Sequence, residues 1–166
     1  MNAKIKIKNL KAKINEEPVG DIFVRTSVLK PVNCNKEIVP SLIDELPILF
    51  IIAALTKGVS KFSGIRELRY KESDRIKTME NTLNKVGIKT KSTRDTLKIF
   101  GNPNIRLKKI LNINPKGDHR IAMSWTIFGL LVNAKIKINN FETVKTSFPN
   151  FISLIKSIGG KIEVKR

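Results

Sequence analysis

The chain has 166 residues, of which 41% are hydrophobic, so it is long enough to form one domain with a core, and its composition excludes a disordered chain. Its 32 lysines and arginines outnumber 14 aspartates and glutamates, and the formal net charge of +18 favours anionic partners or substrates. The single cysteine excludes an internal disulfide framework and indicates a reducing, cytoplasmic compartment.

Neither a secretory leader nor a membrane span is expected. Residues 1–9 contain lysines but no apolar run of the kind that a signal peptide needs. The longest apolar run, residues 46–55, has about half the length of a membrane-spanning helix. The charge leaves nucleic-acid binding open as an alternative. The lysines are spread along predicted strands, however, and the aromatic residues fall mostly in apolar runs, so we expect no nucleic-acid partner.

Strand-like and helix-like patterns alternate along the chain. Isoleucines alternate with lysines in the first predicted strand, and Gly58 and Gly87 follow two predicted helices as C-terminal signals. In chain order the predicted elements are strands at 3–10 and 19–26, a helix at 42–57, a strand at 59–65, a helix at 74–86, a hairpin of 88–92 and 95–100, a strand at 105–113, a helix at 119–132, a strand at 134–140, a helix at 148–158 and a strand at 161–165.

These elements form an internal repeat. An apolar helix, a strand, a polar connection, an amphipathic helix, a glycine and a strand occur twice in the same order, in units covering residues 19–100 and 105–165. Because no low-complexity linker separates the two units, we predict a single domain over residues 1–166.

The polarity of the elements predicts an unusual layering. The first helix of each unit is apolar on nearly all sides, over residues 48–55 and 125–132, and such a helix has to be buried all round. The strands alternate lysine with isoleucine, which is typical of a sheet with one face in water. We therefore predict an inside-out α/β fold, in which the helices are buried and the sheets lie outside.

Two short motifs carry most of the functional information. Residues 71–76 (KESDRI) and 118–123 (DHRIAM) each combine a carboxylate with an arginine where a polar loop passes into a predicted helix. Unpaired N–H groups and the helix dipole favour anions at a helix N-terminus, and a neighbouring guanidinium adds to that attraction. Two such sites indicate a ligand with more than one anionic group.

Four motifs resemble the C-terminal portion of the 5-enolpyruvylshikimate-3-phosphate (EPSP) synthase family, in order and spacing, over residues 19–165. They are SLIDELP at 41–47, ELRYKESDRI at 67–76, DHRIAM at 118–123 and TSFPNF at 146–151. The resemblance implies two domains, each of three βαβαββ units with helices inside and sheets outside, which agrees with the polarity argument. This chain is then an incomplete copy of a two-domain, enolpyruvyl transferase-like fold.

The resemblance also implies an enzyme of the shikimate pathway, a 3-phosphoshikimate 1-carboxyvinyltransferase. Such an enzyme transfers the enolpyruvyl group of phosphoenolpyruvate to the 5-hydroxyl of shikimate 3-phosphate and releases phosphate, toward chorismate and the aromatic amino acids. The reaction needs a proton donor, a base and cations for the phosphates and carboxylates, but no metal or other cofactor.

By the same resemblance, the two catalytic residues are carboxylates. Asp44 contacts the hydroxyls of shikimate 3-phosphate and acts as the base, and Glu72 exchanges a proton with the methylene carbon of phosphoenolpyruvate. Lys71 contacts shikimate 3-phosphate or the transition state. The local patterns alone also allow plainer roles, in which Asp44 interacts with a helix dipole, Glu72 is a solvated glutamate and Lys71 is one surface lysine among many.

Arg75 and Arg120 are implied to hold phosphoenolpyruvate, since a planar guanidinium binds carboxylate or phosphate through two hydrogen bonds. The alternative for both arginines is structural pairing with Asp74 or Asp118. His119, the only histidine, is implied as a weaker contact to phosphate or in a proton relay, and it fits a packed residue at a helix start equally well.

Two positions depart from the family pattern. Several members have a lysine directly before the Thr/Ser-Phe-Pro string, at the position of Thr146, whereas Lys145 lies one residue earlier. Its contact with phosphoenolpyruvate is therefore an open expectation. Glu67 stands where some members use an asparagine to bind shikimate 3-phosphate, which leaves that contact open as well.

The implied active site lies in a cleft between two domains, and the resemblance covers only one wall of it. We therefore expect the isolated chain to be inactive and to need an N-terminal half, for which a separate chain is one source. A fragment of the related UDP-N-acetylglucosamine enolpyruvyl transferase is one alternative, because that enzyme shares the inside-out fold. A basic nucleic-acid-binding module is another.

Overall fold

A computed structural model describes residues 1–12 and 17–163. Within these residues the strands are β1 (Lys4–Lys11), β2 (Val19–Arg25), β3 (Asn33–Cys34), β4 (Gly58–Ser63), β5 (Thr90–Ser92), β6 (Thr96–Gly101), β7 (Leu111–Ile113) and β8 (Ile136–Ile138). The helices are α1 (Leu46–Ala54), α2 (Arg75–Lys85), α3 (His119–Leu131), α4 (Thr143–Ser147) and α5 (Phe151–Ser157), and 3-10 turns lie at Val39–Ser41 and Arg66–Tyr70.

Four strands form the largest described sheet, in the order β3-β4-β6-β5. β3 is parallel to β4, whereas β6 is antiparallel to both β4 and β5, so the predicted hairpin of residues 88–92 and 95–100 is confirmed. Because side chains alternate across a strand, one face of the sheet carries the buried Phe62, Leu97 and Ile99 while the other carries lysines in water.

Helices α1 and α3 lie in the interior. Helix α1 packs against α3 and against β6, and Phe50 of α1 meets Phe62 of β4 edge to face, with ring centroids 4.8 Å apart. Trp125 and Phe128 of α3 form a second edge-to-face pair at 4.9 Å, and all four rings are fully buried. The predicted inside-out layering, with helices within and the four-stranded sheet outside, is thereby confirmed.

The predicted helix at 42–57 is too long. Helix α1 begins at Leu46, and the residues before it form hydrogen-bonded turns, with the Glu45 N–H donating to the Leu42 carbonyl. Pro47 lies in the first turn of α1, where its missing N–H costs no helical hydrogen bond. No helix within residues 1–12 and 17–163 has the length and apolarity needed to cross a bilayer.

The predicted helix at 148–158 is also wrong at its start. Helix α4 ends at Ser147 and α5 begins at Phe151, with Phe148 outside the helical region at φ −145° and ψ 77°. The residue before a proline disfavours the helical conformation, and Pro149 follows directly. The break leaves α4 as a helix of only five residues.

Three of the predicted strands are shorter than expected or absent. β7 and β8 form a parallel pair beside α3. β7 covers only the end of the predicted strand at 105–113, and β8 covers only the centre of the predicted strand at 134–140. Residues 161–163 have no regular structure, and the rest of the predicted strand at 161–165 lies outside the described residues. β1 and β2 match the predicted strands at 3–10 and 19–26 and pair antiparallel with each other. Every residue of both strands is exposed, so the expectation that only one face of the first strand lies in water was wrong.

Candidate functional site

Three helix starts meet in the structure. Asp44 lies two residues before α1, residues 71–74 lead into α2, and Asp118 directly precedes α3. Arg75, the first residue of α2, joins all three segments by hydrogen bonds to Asp44, Glu72 and Asp118. Side chains that are far apart in the sequence therefore form one connected cluster.

Arg75 is the centre of this cluster. Its Nε donates to Oδ2 of Asp118 at 2.8 Å, while Nη1 and Nη2 donate to Asp44 and Glu72 at 2.9 and 2.6 Å. Only 1% of the side chain is exposed, and a buried charge requires partners of this kind. Burial alone would lower the pKa of Arg75, but the three carboxylates outweigh it and raise that pKa above its ordinary value.

Asp118 is fully buried and holds two helix starts together. Its Oδ1 accepts from the backbone N–H groups of Arg120 and Ile121 at 3.0 and 3.3 Å and so caps α3. Its Oδ2 accepts from Arg75 and, at 3.1 Å, from the Ser73 hydroxyl. The structural pairing that the sequence left open for Arg75 is therefore observed with Asp118.

Asp74, the other candidate partner, caps α2 and binds Arg69 instead. Nη1 of Arg69 lies 2.9 Å from Oδ2 of Asp74, while its Nε and Nη2 donate to the backbone carbonyls of Arg94 and Thr93 at 3.0 and 2.5 Å. These bonds tie both ends of the 70–73 loop to the β5–β6 turn. No local pattern in the sequence pointed to Arg69, because its Nε and Nη2 bind backbone carbonyls, which any residue type supplies.

The carboxylate of Asp44 faces three cations. It accepts from Arg75, and it lies 3.8 Å from Nζ of Lys71 and 4.0 Å from Nη2 of Arg120. The hydrogen bond from Arg75 lowers the pKa of Asp44; burial opposes this, and the charges of Lys71 and Arg120 add to the lowering. Asp44 is therefore ionised at neutral pH.

Two cations of the cluster remain partly exposed, and each binds a glutamate. Nζ of Lys71, which is 24% exposed, lies 2.8 Å from Oε1 of Glu67, and this hydrogen bond is the main cause of its raised pKa. Nη1 of Arg120, which is 33% exposed, lies 3.0 Å from Oε1 of Glu45 and donates to the Asp44 carbonyl at the same distance. No pattern in the sequence assigned Glu45 to the site.

The remaining predicted residues divide into two groups. Glu72, which is 46% exposed, presents Oε2 to Arg75 and Oε1 to Nδ1 of His119 at 4.0 Å, so both residues belong to the cluster. Lys145 is exposed in the short helix α4. Among the described residues, no ion pair of this cluster includes Lys145, so its substrate contact stays a prediction.

The arrangement combines anion binding with proton transfer. Lys71 and Arg120 are exposed enough to bind a phosphate or carboxylate. Each terminal nitrogen of Arg75 donates one hydrogen bond to a carboxylate among the described residues, and a guanidinium carries a second N–H on each of these nitrogens. Asp44 is an ionised acceptor, and Glu72 is a second carboxylate with access to solvent. Such a constellation suits a substrate that carries several anionic groups.

Comparison with known proteins gives one consistent relationship. The sequence model described as EPSP synthase (3-phosphoshikimate 1-carboxyvinyltransferase) matches residues 1–155. A 3-phosphoshikimate 1-carboxyvinyltransferase of Petrotoga mobilis is 44% identical over 158 residues, which cover 95% of this chain and 36% of the relative. A 3-phosphoshikimate 1-carboxyvinyltransferase of Legionella pneumophila (strain Corby) is 40% identical over 163 residues, which cover 98% of this chain and 36% of the relative.

Solved structures agree with these matches. An EPSP synthase from Acinetobacter baumannii superposes with a TM-score of 0.90 at 38% identity, over all of this chain and 38% of that structure. The enolpyruvyl transferase NikO from Streptomyces tendae shares the fold over 93% of this chain and 34% of the NikO chain, with 17% identity and a TM-score of 0.59. The chain thus spans little more than a third of the length of its relatives.

Proposed function

Because this chain belongs to the EPSP synthase family, we propose that it supplies one wall of an active site for enolpyruvyl transfer. The reaction moves the enolpyruvyl group of phosphoenolpyruvate to the 5-hydroxyl of shikimate 3-phosphate and releases phosphate. The observation that carries the proposal is the Arg75-centred cluster, in which Asp44, Lys71, Glu72 and Arg120 lie together although they come from three helix starts.

The two substrates bind different cations of the cluster. Lys71 and Asp44 hold shikimate 3-phosphate. The positive charge of Lys71 attracts this anionic substrate, and the Asp44 carboxylate accepts hydrogen bonds from its hydroxyls. Arg120 and Arg75 hold phosphoenolpyruvate, since guanidinium groups match carboxylate and phosphate geometry. The partial exposure of Lys71 and Arg120 supports these roles. His119 is a minor contact beside Glu72.

Asp44 and Glu72 move the protons. In the addition step the 5-hydroxyl oxygen attacks C2 of phosphoenolpyruvate and its proton passes to Asp44. Glu72, which reaches solvent and takes up a proton there, passes that proton to the methylene carbon, which becomes a methyl group. In the elimination step Glu72 takes a proton back from that methyl group, the double bond reforms as the C–O bond to phosphate breaks, and the proton held by Asp44 goes to the departing phosphate. The ionised state of Asp44 and the exposure of Glu72 support this division of labour.

The opposite wall comes from the part of the family fold that this chain does not span. We propose that a polypeptide carrying the N-terminal domain completes the cleft, and that residues 1–166 act as a single domain within that assembly. One wall cannot orient both substrates, so the isolated chain is expected to bind ligands without turnover. We also propose a cytoplasmic location, which the single cysteine supports, since Cys34 is a buried free thiol.

Neither alternative is favoured by the comparisons, because the family model and the relatives cited above name the shikimate 3-phosphate enzyme. A thermal unfolding series tests the choice directly, since a ligand that binds the folded chain raises Tm. We expect shikimate 3-phosphate to raise Tm, and UDP-N-acetylglucosamine and a DNA duplex at physiological salt to leave it unchanged. Protection by the UDP-sugar or the duplex, without protection by shikimate 3-phosphate, would replace the proposal.

A further inference from the structure

The two partly exposed cations of the cluster already hold an anion each. Lys71 lies 2.8 Å from Glu67, and Arg120 lies 3.0 Å from Glu45. These glutamates are 65% and 53% exposed, whereas Arg75 takes its three carboxylates from other residues. The two cations that a ligand can reach from solvent are therefore the ones whose glutamate partners are exposed and replaceable.

An anionic ligand has to compete with these glutamates. The cluster contains more carboxylates than cations, namely Asp44, Glu45, Glu67, Glu72 and Asp118 around Lys71, Arg75 and Arg120. A phosphate that approaches Lys71 or Arg120 either displaces the glutamate or lies beside it, where like charges repel. Displacement is easy because an exposed ion pair contributes little stability.

We propose that Glu67 and Glu45 are the counter-anions of Lys71 and Arg120 and determine the affinity of the site for the two substrates. Glu67 competes with shikimate 3-phosphate for Lys71, and Glu45 competes with phosphoenolpyruvate for Arg120; the identity of these two ligands rests on the proposed function. Each glutamate neutralises its cation until the ligand's anionic group replaces it, and the glutamate side chain then turns into solvent.

The two glutamates act on different ligands, and this separates a counter-anion role from a general change in charge. Glu67 belongs to the 3-10 turn Arg66–Tyr70, whereas Glu45 precedes α1. Neutralising Glu67 should favour only the ligand on Lys71, and neutralising Glu45 only the ligand on Arg120. Each variant is thus the matched control of the other.

The experiment is an NMR titration of the full 166-residue chain with shikimate 3-phosphate and, separately, with phosphoenolpyruvate. The proteins are the wild type, Glu67→Gln, Glu45→Gln and the exposed control Glu37→Gln, each checked by circular dichroism for a wild-type fold. We expect Glu67→Gln to bind shikimate 3-phosphate about 2–10 times more tightly with unchanged phosphoenolpyruvate affinity, and Glu45→Gln to do the reverse.

The other outcomes are equally decisive. Unchanged or weaker binding in both site variants, with clear binding by the wild type, overturns the counter-anion role and leaves the proposed function intact. An equal gain in Glu37→Gln also overturns it, because the effect would then be one of net charge. Binding that appears only in the site variants supports the inference, and no binding by any protein rejects the proposed function together with the inference.

Discussion

Nε of Arg75 and Oδ2 of Asp118 lie 2.8 Å apart, and the two side chains are 1% and 0% exposed. This buried ion pair joins the start of α2 to the start of α3. Removing one partner of a buried pair leaves an uncompensated charge and costs about 3–5 kcal/mol. Since two further carboxylates still neutralise Arg75, we expect Asp118→Asn to lower the free energy of unfolding by about 3 kcal/mol, measured by urea unfolding.

Asp74→Asn is the matched control for that variant. Asp74 also caps a helix and also pairs with an arginine, but the side chains of Asp74 and Arg69 are 32% and 20% exposed. Asparagine is a good cap and the pair is partly solvated, so the loss should stay below about 1 kcal/mol. Equal losses in the two variants would show that burial of the Arg75–Asp118 pair has no special weight.

The pKa of Asp44 predicts a pH dependence of stability. Folding lowers this pKa, so the contribution is fully present above the unfolded value of about 3.9 and is lost as the pH falls through the lower folded value. Asp44→Asn removes the contribution. The difference in unfolding free energy between wild type and variant should therefore be constant from pH 7 to about pH 5 and shrink below about pH 4.

The size of this effect is modest, because the Asp44 side chain is 41% exposed and solvent screens its interactions. Urea unfolding at a series of pH values measures it. A difference that stays constant down to pH 3, or grows as the pH falls, would contradict the direction of the pKa change.

Arg69 should control the order of the loop that carries Lys71 and Glu72. Its side chain links Asp74 to the carbonyls of Thr93 and Arg94, so Arg69→Gln releases the loop at both ends. We expect faster amide hydrogen exchange in residues 70–73 and a stability loss of about 1–2 kcal/mol. The control is Arg106→Gln, which makes the same charge change at an exposed position. Unchanged exchange in Arg69→Gln would contradict the anchoring role.

Much of the fold could be predicted because polarity reports burial directly. The nearly all-apolar residues 48–55 and 125–132 indicated interior helices, and the alternation of lysine with apolar residues indicated a sheet with one face in water, as β6 has. The predicted helix boundaries were wrong where a single residue determines the backbone conformation. A proline is tolerated only in the first turn of a helix, so Pro47 fixes the start of α1 at Leu46. Pro149 separates α4 from α5. The apolar pattern continues through both places.

The site could be predicted only in part, for a related reason. The motifs around Asp44, Glu72 and Asp118 mark helix starts, which local patterns reveal. Two of the three partners of Arg75 lie 31 and 43 residues away, and only the tertiary fold selects Asp118 over the nearer Asp74. Counter-anions such as Glu45 leave no local signal, since an exposed glutamate beside a helix is common everywhere.

The most direct test of the central claim is a chimera with a full-length relative. The segment of the Petrotoga mobilis protein that matches this chain, 36% of that relative, would be replaced by residues 1–166, and phosphate release from phosphoenolpyruvate would be measured with and without shikimate 3-phosphate. We predict release that depends on shikimate 3-phosphate and falls by about 10²–10⁴ in the Asp44→Asn and Glu72→Gln versions. A folded chimera that releases no phosphate, or one whose rate survives both substitutions, would contradict the assignment of this cluster as one wall of the active site.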